Sequence, residues 1–250
     1  MNIVLDNRLN EHPLISVVTP AFNGKKFVAS YLSALELWKR ANVEVIVIDG
    51  SSEDGTVDKL MSAPGIDLIV SEKDDGIFDA MNKGVSICRG LYIGILNLDD
   101  RYLPNTIDLI ESKILTNPNS IIYGGLKIGE QDSNVVHLSH TNIQQGMIGH
   151  PAMFVARTLY LELGGYDSYY KVAADYDLTF RYFNAGVKFV ELPDVLTEYT
   201  PGGFSSSHEK LSIIETTRIQ KVHTRKGFAW FVIKVLLRIS KHQIIQLMSR

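Results

Sequence analysis

The chain has a single cysteine, Cys88, so no disulfide can form within it and any core must hold by packing alone. In its VSICRG setting this residue reads as a small buried hydrophobe rather than a nucleophile. A run of the roughly 18 to 20 apolar residues needed to cross a bilayer is also missing. The opening MNIVLDNRLNEHPL carries early acids and no apolar stretch of signal-peptide length, so export is not expected. Gly-x-Gly-x-x-Gly does not follow the first strand pattern and there is no Walker A lysine motif, which disfavours a dinucleotide-binding Rossmann domain and a P-loop. Positive charge is scarce as well. The formal charge is −3, and residues 221 to 250 hold seven Lys/Arg with no acid, so residues 1 to 220 alone carry −10. A net-acidic body argues against nucleic-acid binding, while the basic end suits an anionic surface.

What is present is a globular composition of 250 residues, 45% hydrophobic and 21% charged, enough for one catalytic domain plus a tail. Its most informative stretch is LYIGILNLDDRY, residues 91 to 102. The apolar block Tyr92 to Leu96 reads as a strand buried on both faces and stops at Asp99 and Asp100. Pro104 then opens an amphipathic helix that places Leu109, Ile110 and Ile114 on one side. Adjacent carboxylates repel and raise each other's pKa unless a cation or donors offset the charge, so a hard divalent ion bridging to phosphate is one resolution. An acidic turn at a helix start is the ordinary alternative.

Three further βα units precede this one. Leu14 to Thr19 is a buried-type strand ended by Pro20-Ala21-Phe22-Asn23-Gly24, before a helix over Phe27 to Trp38. Val43 to Ile48 delivers Asp49 at its end, ahead of a helix at Val57 to Met61. Such an acid takes ribose hydroxyls in many α/β sheets, or simply forms an Asx-turn. Ile66 to Ser71 is the third strand, followed by a helix over Ile77 to Ile87 on which Gly76, Asp79 and Lys83 share a face. Four alternating units predict an α/β fold with a doubly wound, mostly parallel sheet whose loops meet at one edge. Downstream, after Ile121-Ile122-Tyr123 and Gly124-Gly125, Leu126 to Ile128 and Val135 to Leu138 read as a hairpin around a polar turn, and His150-Pro151 precedes a strand at Met153 to Val155. A helix from Ala174 carries Asp175 and Asp177 in its first turn, where acids commonly match the helix dipole. VKFVEL and VLTEYT read as two strands separated by Pro193. Gly202, Gly203 and Ser205 to Ser207 suit a lid or an ordinary linker. From Leu211 the pattern is helical, with Lys234, Arg238 and Lys241 on one stripe and Phe228, Val232, Val235 and Ile239 on another, broadened by Trp230, Phe231 and Leu237. Such a helix suits an anionic leaflet, or packing on the domain or a dimer partner.

In this order, SVVTPAFNG, VIVIDGSSEDGT, SEKDDGIFDAMNKGVSICRGLYIGILNLDD and GHPAMFVARTLYLELGGYD followed by ADYDLTFRYFNAG resemble the family 2 glycosyltransferases. These are inverting enzymes of the GT-A fold, here of the small bacterial type that builds surface polysaccharide. The resemblance covers about residues 14 to 205. It implies a GT-A domain with a nucleotide-sugar half over 14–125 and an acceptor half over 126–206, between an N-terminal extension at 1–13 and a helical region at 207–250. It also implies a nucleotide-sugar donor bordered by Thr19, Pro20, Asn23, Asp49, Asp79, Lys83 and Asp99, and Mg²⁺ or Mn²⁺ on Asp100. Asp175 matches the general base, although Ala174 stands where the family often has Glu; Asp177 lies about 200° around the helix axis from Asp175. His150 is implied more weakly at the acceptor or leaving phosphate. The acceptor would be a saccharide or lipid-linked hydroxyl, one sugar per encounter, since the Gln-x-x-Arg-Trp motif and membrane spans of processive members are missing. The expected location is the cytoplasm, peripheral on the inner face of the membrane through residues 227–250, with a homodimer also open. Transfer to a polyprenyl phosphate is the rival enzymatic reading, and a degenerate glycosyltransferase acting as an assembly partner is the non-enzymatic one.

Overall fold

The computed structural model describes residues 1–8, 12–129, 131, 134–202, 208–224 and 228–248. The segment of the expected lid at 203–207 lies outside the described residues. The apolar, β-branched runs ISVVTPA and VEVIVID form β2 (Ile15–Ala21) and β3 (Val43–Asp49), both buried along their whole length. They pair in parallel with each other, with β4 (Leu68–Ser71) outside β3 and β5 (Tyr92–Ile95) inside β2. The intervening α1 (Lys25–Trp38), α2 (Thr56–Met61) and α3 (Ile77–Ile87) are the crossovers. As expected, the loops after β2, β3, β4 and β5 meet at one edge of an α/β sheet. Cys88 is buried, and burial pushes its thiol up out of the reactive range.

α3 lies against β2 and β3. Close approach there depends on Gly84, because a Cβ at this position would stand 2.3 Å from Val18 Cγ1. Gly84→Ala is therefore expected to cost about 1–3 kcal/mol and to lower Tm by several degrees; a thermal melt equal to wild type would show that the helix can shift at little cost.

The second half of the sheet is mixed. β9 (Met153–Ala156) runs antiparallel between β5 and β7 (Ser120–Ile128), β10 (Lys188–Tyr199) runs parallel to β7, and β6 (Arg101–Tyr102) closes the edge. The expected hairpin is present, although its second strand, β8, is only Val135–Val136. The two strands expected around Pro193 are one: the register of β10 on β7 shifts between Glu191 and Val195, and a bulge there accommodates the missing proline N–H. The first residues also contribute a strand, β1 (Ile3–Asp6), antiparallel to β4. Its mostly exposed IVLD has no alternation by which to recognise it.

Large aromatic side chains join the halves: Tyr102 meets Trp38 edge-on at 5.3 Å between ring centres and Phe154 at 5.2 Å. α4 (Thr106–Ile114) follows β6, and α5 (Arg157–Leu163) and α6 (Ala174–Asn184) lie between β9 and β10 in the chain.

The C-terminal region forms α7 (Glu209–Thr224), packed on α6, and α8 (Phe228–Met248), packed on α7. The basic stripe of α8 is turned differently from the leaflet-facing arrangement expected. Lys234 Nζ donates to Gln220 Oε1 at 2.6 Å, and Arg238 Nη1 donates to Thr216 and Thr217 at 3.2 and 3.0 Å. Polar groups on α7 thus draw these cations inward, and Val232, Ile233, Leu236 and Leu237 are left exposed. The side chains of Phe228, Phe231 and Lys241 lie outside the described part. Among the described residues, no helix is long and apolar enough to cross a membrane.

Candidate active site

The register that aligns Ala21 with Asp49 and Asp49 with Ser71 brings the first three loops together above the strand ends. They form one wall of a cavity of about 910 Å³. Of the residues expected at a nucleotide site, Pro20, Asn23, Asp79 and Asp99 line it, and His150 and Asp175 line it from the other half.

The remaining expected residues stand behind this wall and shape it. Asp49 is fully buried and its carboxylate is already engaged, by Ser52 N–H at 2.9 Å, by the Ser52 hydroxyl, and by the Ser71 hydroxyl at 2.7 Å. These bonds hold the turn at Ser51, whose φ of 63° is left-handed. Asn23, also left-handed at φ 47°, accepts Glu53 N–H at 3.0 Å, and its own N–H donates to Ser52 Oγ at 2.7 Å, which ties the first loop to the second. Thr19 is buried against the Tyr31 hydroxyl at 2.8 Å. Lys83 binds the Lys73 carbonyl at 2.8 Å, Glu72 at 3.3 Å and Asp79 at 3.2 Å rather than facing the cavity.

Two groups in this corner are not among the expected site residues. Phe22 lines the cavity with 66% of its surface exposed. Asp74, held by an acceptor bond from Gly76 N–H at 2.9 Å, lies over the second loop, where a Cβ on Gly50 would come within 2.5 Å of its carboxylate. Burial pushes Asp74 above its ordinary range. The paired acids before Gly76 in KDDG and the aromatic in PAFNG were the available signals.

Asp99 and Asp100 are not equivalent. Asp99 faces the cavity, and partial burial raises its pKa. Asp100 is 2% exposed, accepting Thr200 N–H on Oδ1 and Asn97 Nδ2 on Oδ2, each at 3.0 Å. Burial pushes its carboxyl up to about 7, with the Thr200 N–H pulling back and the charge of Asp99 adding to the rise. Asn97 Oδ1 beside them is buried without a donor. This oxygen-only group fits a hard divalent ion. Among the described residues no three His, Cys, Asp or Glu side chains form a protein cage, so such an ion would take its other ligands from phosphate and water.

On the other side, α6 begins at Ala174 and presents Asp175 to the cavity. Its carboxylate accepts the Tyr176 N–H at 2.8 Å. Burial pushes its pKa up to about 7, and the charge of Glu215 adds to the effect. Asp177 is instead tied down, by Arg181 Nε at 2.8 Å and His223 Nε2 at 2.9 Å. Burial would raise it, but the His223 and Arg181 bonds prevail and hold it below the usual carboxylate range. His150 Nε2 bonds the Tyr166 hydroxyl at 2.9 Å, and burial lowers its pKa to about 4. A carboxylate poised near neutrality and a neutral imidazole thus line the same cavity as Asp99, while Asp100 is not among its lining residues.

The sequence model described as Glycosyl transferase family 2 matches residues 16–182. A PGL/p-HBAD biosynthesis glycosyltransferase of Mycobacterium bovis is 27% identical over 181 residues, covering 69% of this chain and 70% of that protein. An uncharacterized glycosyltransferase of Rickettsia bellii is 26% identical over 212 residues, 77% of this chain but only 31% of that protein, so the chain spans about a third of the Rickettsia relative. Among solved structures, S. aureus TarS 1-349 in complex with UDP-GlcNAc superposes with a TM-score of 0.69 at 18% identity, covering 88% of this chain and 69% of that one. The mannosyltransferase PcManGT of Pyrobaculum calidifontis, in complex with GDP-Man and Mn²⁺, gives 0.67 at 18% identity, covering 91% and 68%. At these identities the structural likeness establishes the GT-A fold alone.

Proposed function

Because the chain belongs to glycosyl transferase family 2, we propose that it moves one sugar, with inversion, from a nucleoside diphosphate donor to a hydroxyl of a saccharide or lipid-linked acceptor in cell-surface polysaccharide synthesis. A UDP-sugar is the first donor to try. The donor would occupy the side of the cavity built by residues 14–125, and the acceptor the side built by 126–206. The observation that carries this reading is the pairing, across one cavity, of Asp99 at a strand end with Asp175 at a helix start.

In the reaction the acceptor oxygen attacks the anomeric carbon in line, and the bond from that carbon to the diphosphate oxygen breaks. The electron pair leaves with the nucleoside diphosphate, and the acceptor proton passes to Asp175. A base with a pKa near 7 is ionised enough to accept that proton and basic enough to pull on it. His150, neutral at this pH, is suited to orienting the acceptor by a hydrogen bond rather than supplying charge. Mg²⁺ or Mn²⁺, when bound beside Asp100, would offset the charge that builds on the departing diphosphate.

The decisive experiment measures binding of UDP- and GDP-sugars, by calorimetry, with and without Mg²⁺ or Mn²⁺. Metal-dependent binding of at least one is expected; no binding under any metal condition would sink the enzymatic reading. We also propose that residues 227–250 attach the protein to the membrane surface, now chiefly through the exposed Val232, Ile233, Leu236 and Leu237. Deleting 227–250 should release the protein from the membrane fraction, and undiminished sedimentation with membranes would count against that role.

A further inference from the structure

The family-matched segment ends at residue 182, yet the backbone that leads into α6 is held from beyond it. The first N–H groups of a helix and the loop before it have no partner within the helix. Here the N–H groups of the loop residues just before α6, up to its N-cap, are taken by Glu215 of α7, which is 7% exposed. Its Oε1 accepts Lys171 N–H at 2.9 Å, and its Oε2 accepts Val172 N–H at 2.9 Å and Ala173 N–H at 3.0 Å. α7 also reaches the cavity at its start, where His208 and Leu211 form part of the lining.

We infer that Glu215 is a positioning residue for Asp175, fixing the entry to α6 through three consecutive backbone N–H groups so that the carboxylate two residues further on meets the acceptor. This rests on the reading of Asp175 as general base. A rigid placement matters because a displacement of about 1 Å in a reacting group can cost on the order of 100-fold in rate. The segment is also held by burial of Tyr170, Val172 and Ala173, but Ala173, the N-cap, has no side-chain oxygen to cap the helix, so its own N–H and the two before it depend on Glu215. Glu215 has a second effect through its charge, which opposes ionisation of Asp175.

The other ionisable groups around Asp175 are Tyr166, whose hydroxyl burial holds well above its ordinary range, His150 at about 4, and, in the cavity lining, Lys171 and Tyr170, His208 at the start of α7, and Lys73, Asp74, Asp75, Asp79 and Asp99 from the donor half. Asp177 on the same helix is committed to Arg181 and His223. Neither Tyr166 nor His150 changes charge near pH 7. Asp100, which burial also raises to about 7, shares that window with Asp175, so only the part of the acid limb that Glu215→Gln shifts is assigned to Asp175.

Glu215→Gln and Glu215→Asp are compared with wild type by kcat, donor Kd and the pH dependence of kcat, with Asp175→Asn run alongside. Glu215→Gln places an amide donor against backbone donors and removes the charge; it should lower kcat by about 10- to 100-fold, leave donor Kd within about twofold, and move the acid limb to lower pH. Glu215→Asp keeps the charge but is one methylene shorter; it should lower kcat with the limb unmoved. Wild-type kcat in both variants, or loss of kcat and donor binding together with an unmoved limb in Glu215→Gln, would overturn the inference. If Glu215→Gln does not fold, Glu215→Asp decides alone, a fall in kcat at unchanged donor Kd supporting the role and wild-type kcat refuting it. Full transfer by Asp175→Asn would instead remove the base assignment itself, which keeps the two failures apart.

Discussion

Asp175→Asn should reduce sugar transfer by about 10²- to 10⁴-fold, the usual contribution of a positioned general base, while donor binding remains near wild type. The amide is nearly isosteric and can still accept the Tyr176 N–H, so what is lost is the ability to take a proton. In the wild-type enzyme, kcat should rise with pH through about 7, where Asp175 ionises. Stability should move the opposite way. The folded carboxyl titrates well above the ordinary aspartate range, so its contribution to stability is greatest below about pH 4, where it is protonated in both states. That contribution falls as pH climbs through the folded value of about 7. Replacement by Asn removes this penalty, on the order of 2 kcal/mol at pH 8, and should raise Tm there by a few degrees. Transfer assays with radiolabelled donor and melting curves at pH 6 and pH 8 test both halves. An unaltered transfer rate would displace Asp175 from the role and favour an acceptor that is already an anion, such as a polyprenyl phosphate, which needs no base.

Asp100→Ala should abolish the metal-dependent part of nucleotide-sugar binding, whereas Asp99→Ala should weaken binding with or without metal. The difference follows from their positions. Asp100 is braced by Thr200 N–H and Asn97, as a ligand needing a fixed direction must be, and lies beside the donorless oxygen of Asn97. Asp99 opens directly onto the cavity, where ribose or phosphate neighbours would sit. A divalent ion, were it held by Asp100, would supply several kcal/mol of charge stabilisation to a bound diphosphate, so the loss in Asp100→Ala should exceed 100-fold in affinity under metal. Calorimetric titration of donor into each variant, with Mn²⁺ and then with chelator, separates the two. Equal losses in both would return the pair to an undifferentiated acidic turn.

The buried parallel strands were plain from residues 14 to 96 because each is a short apolar run ended by a proline or a polar residue, and their order around α1, α2 and α3 left few topologies. The acids at their ends could be read as a group for the same reason. Which acids face the cavity was not legible. Asp49 and Asp99 both end buried strands, yet the first is consumed by Ser52 and Ser71, whose hydroxyls reach it only after two loops fold. β1 was invisible because it is an exposed edge, and β10 looked like two strands because a proline there signals a break unless a bulge absorbs it. The inward turn of Lys234 and Arg238 depends on threonine and glutamine side chains on another helix, which periodicity along α8 does not encode.

The bond from Thr200 N–H to Asp100 spans 100 residues of chain. The acidic turn is therefore finished late, when β10 docks beside β7, long after β2 to β5 can assemble. A chain cut before Thr200 would keep β2 to β5 yet lose one of the two hydrogen bonds that orient the Asp100 carboxylate, so the donor half of the cavity is not finished by the donor half of the sequence.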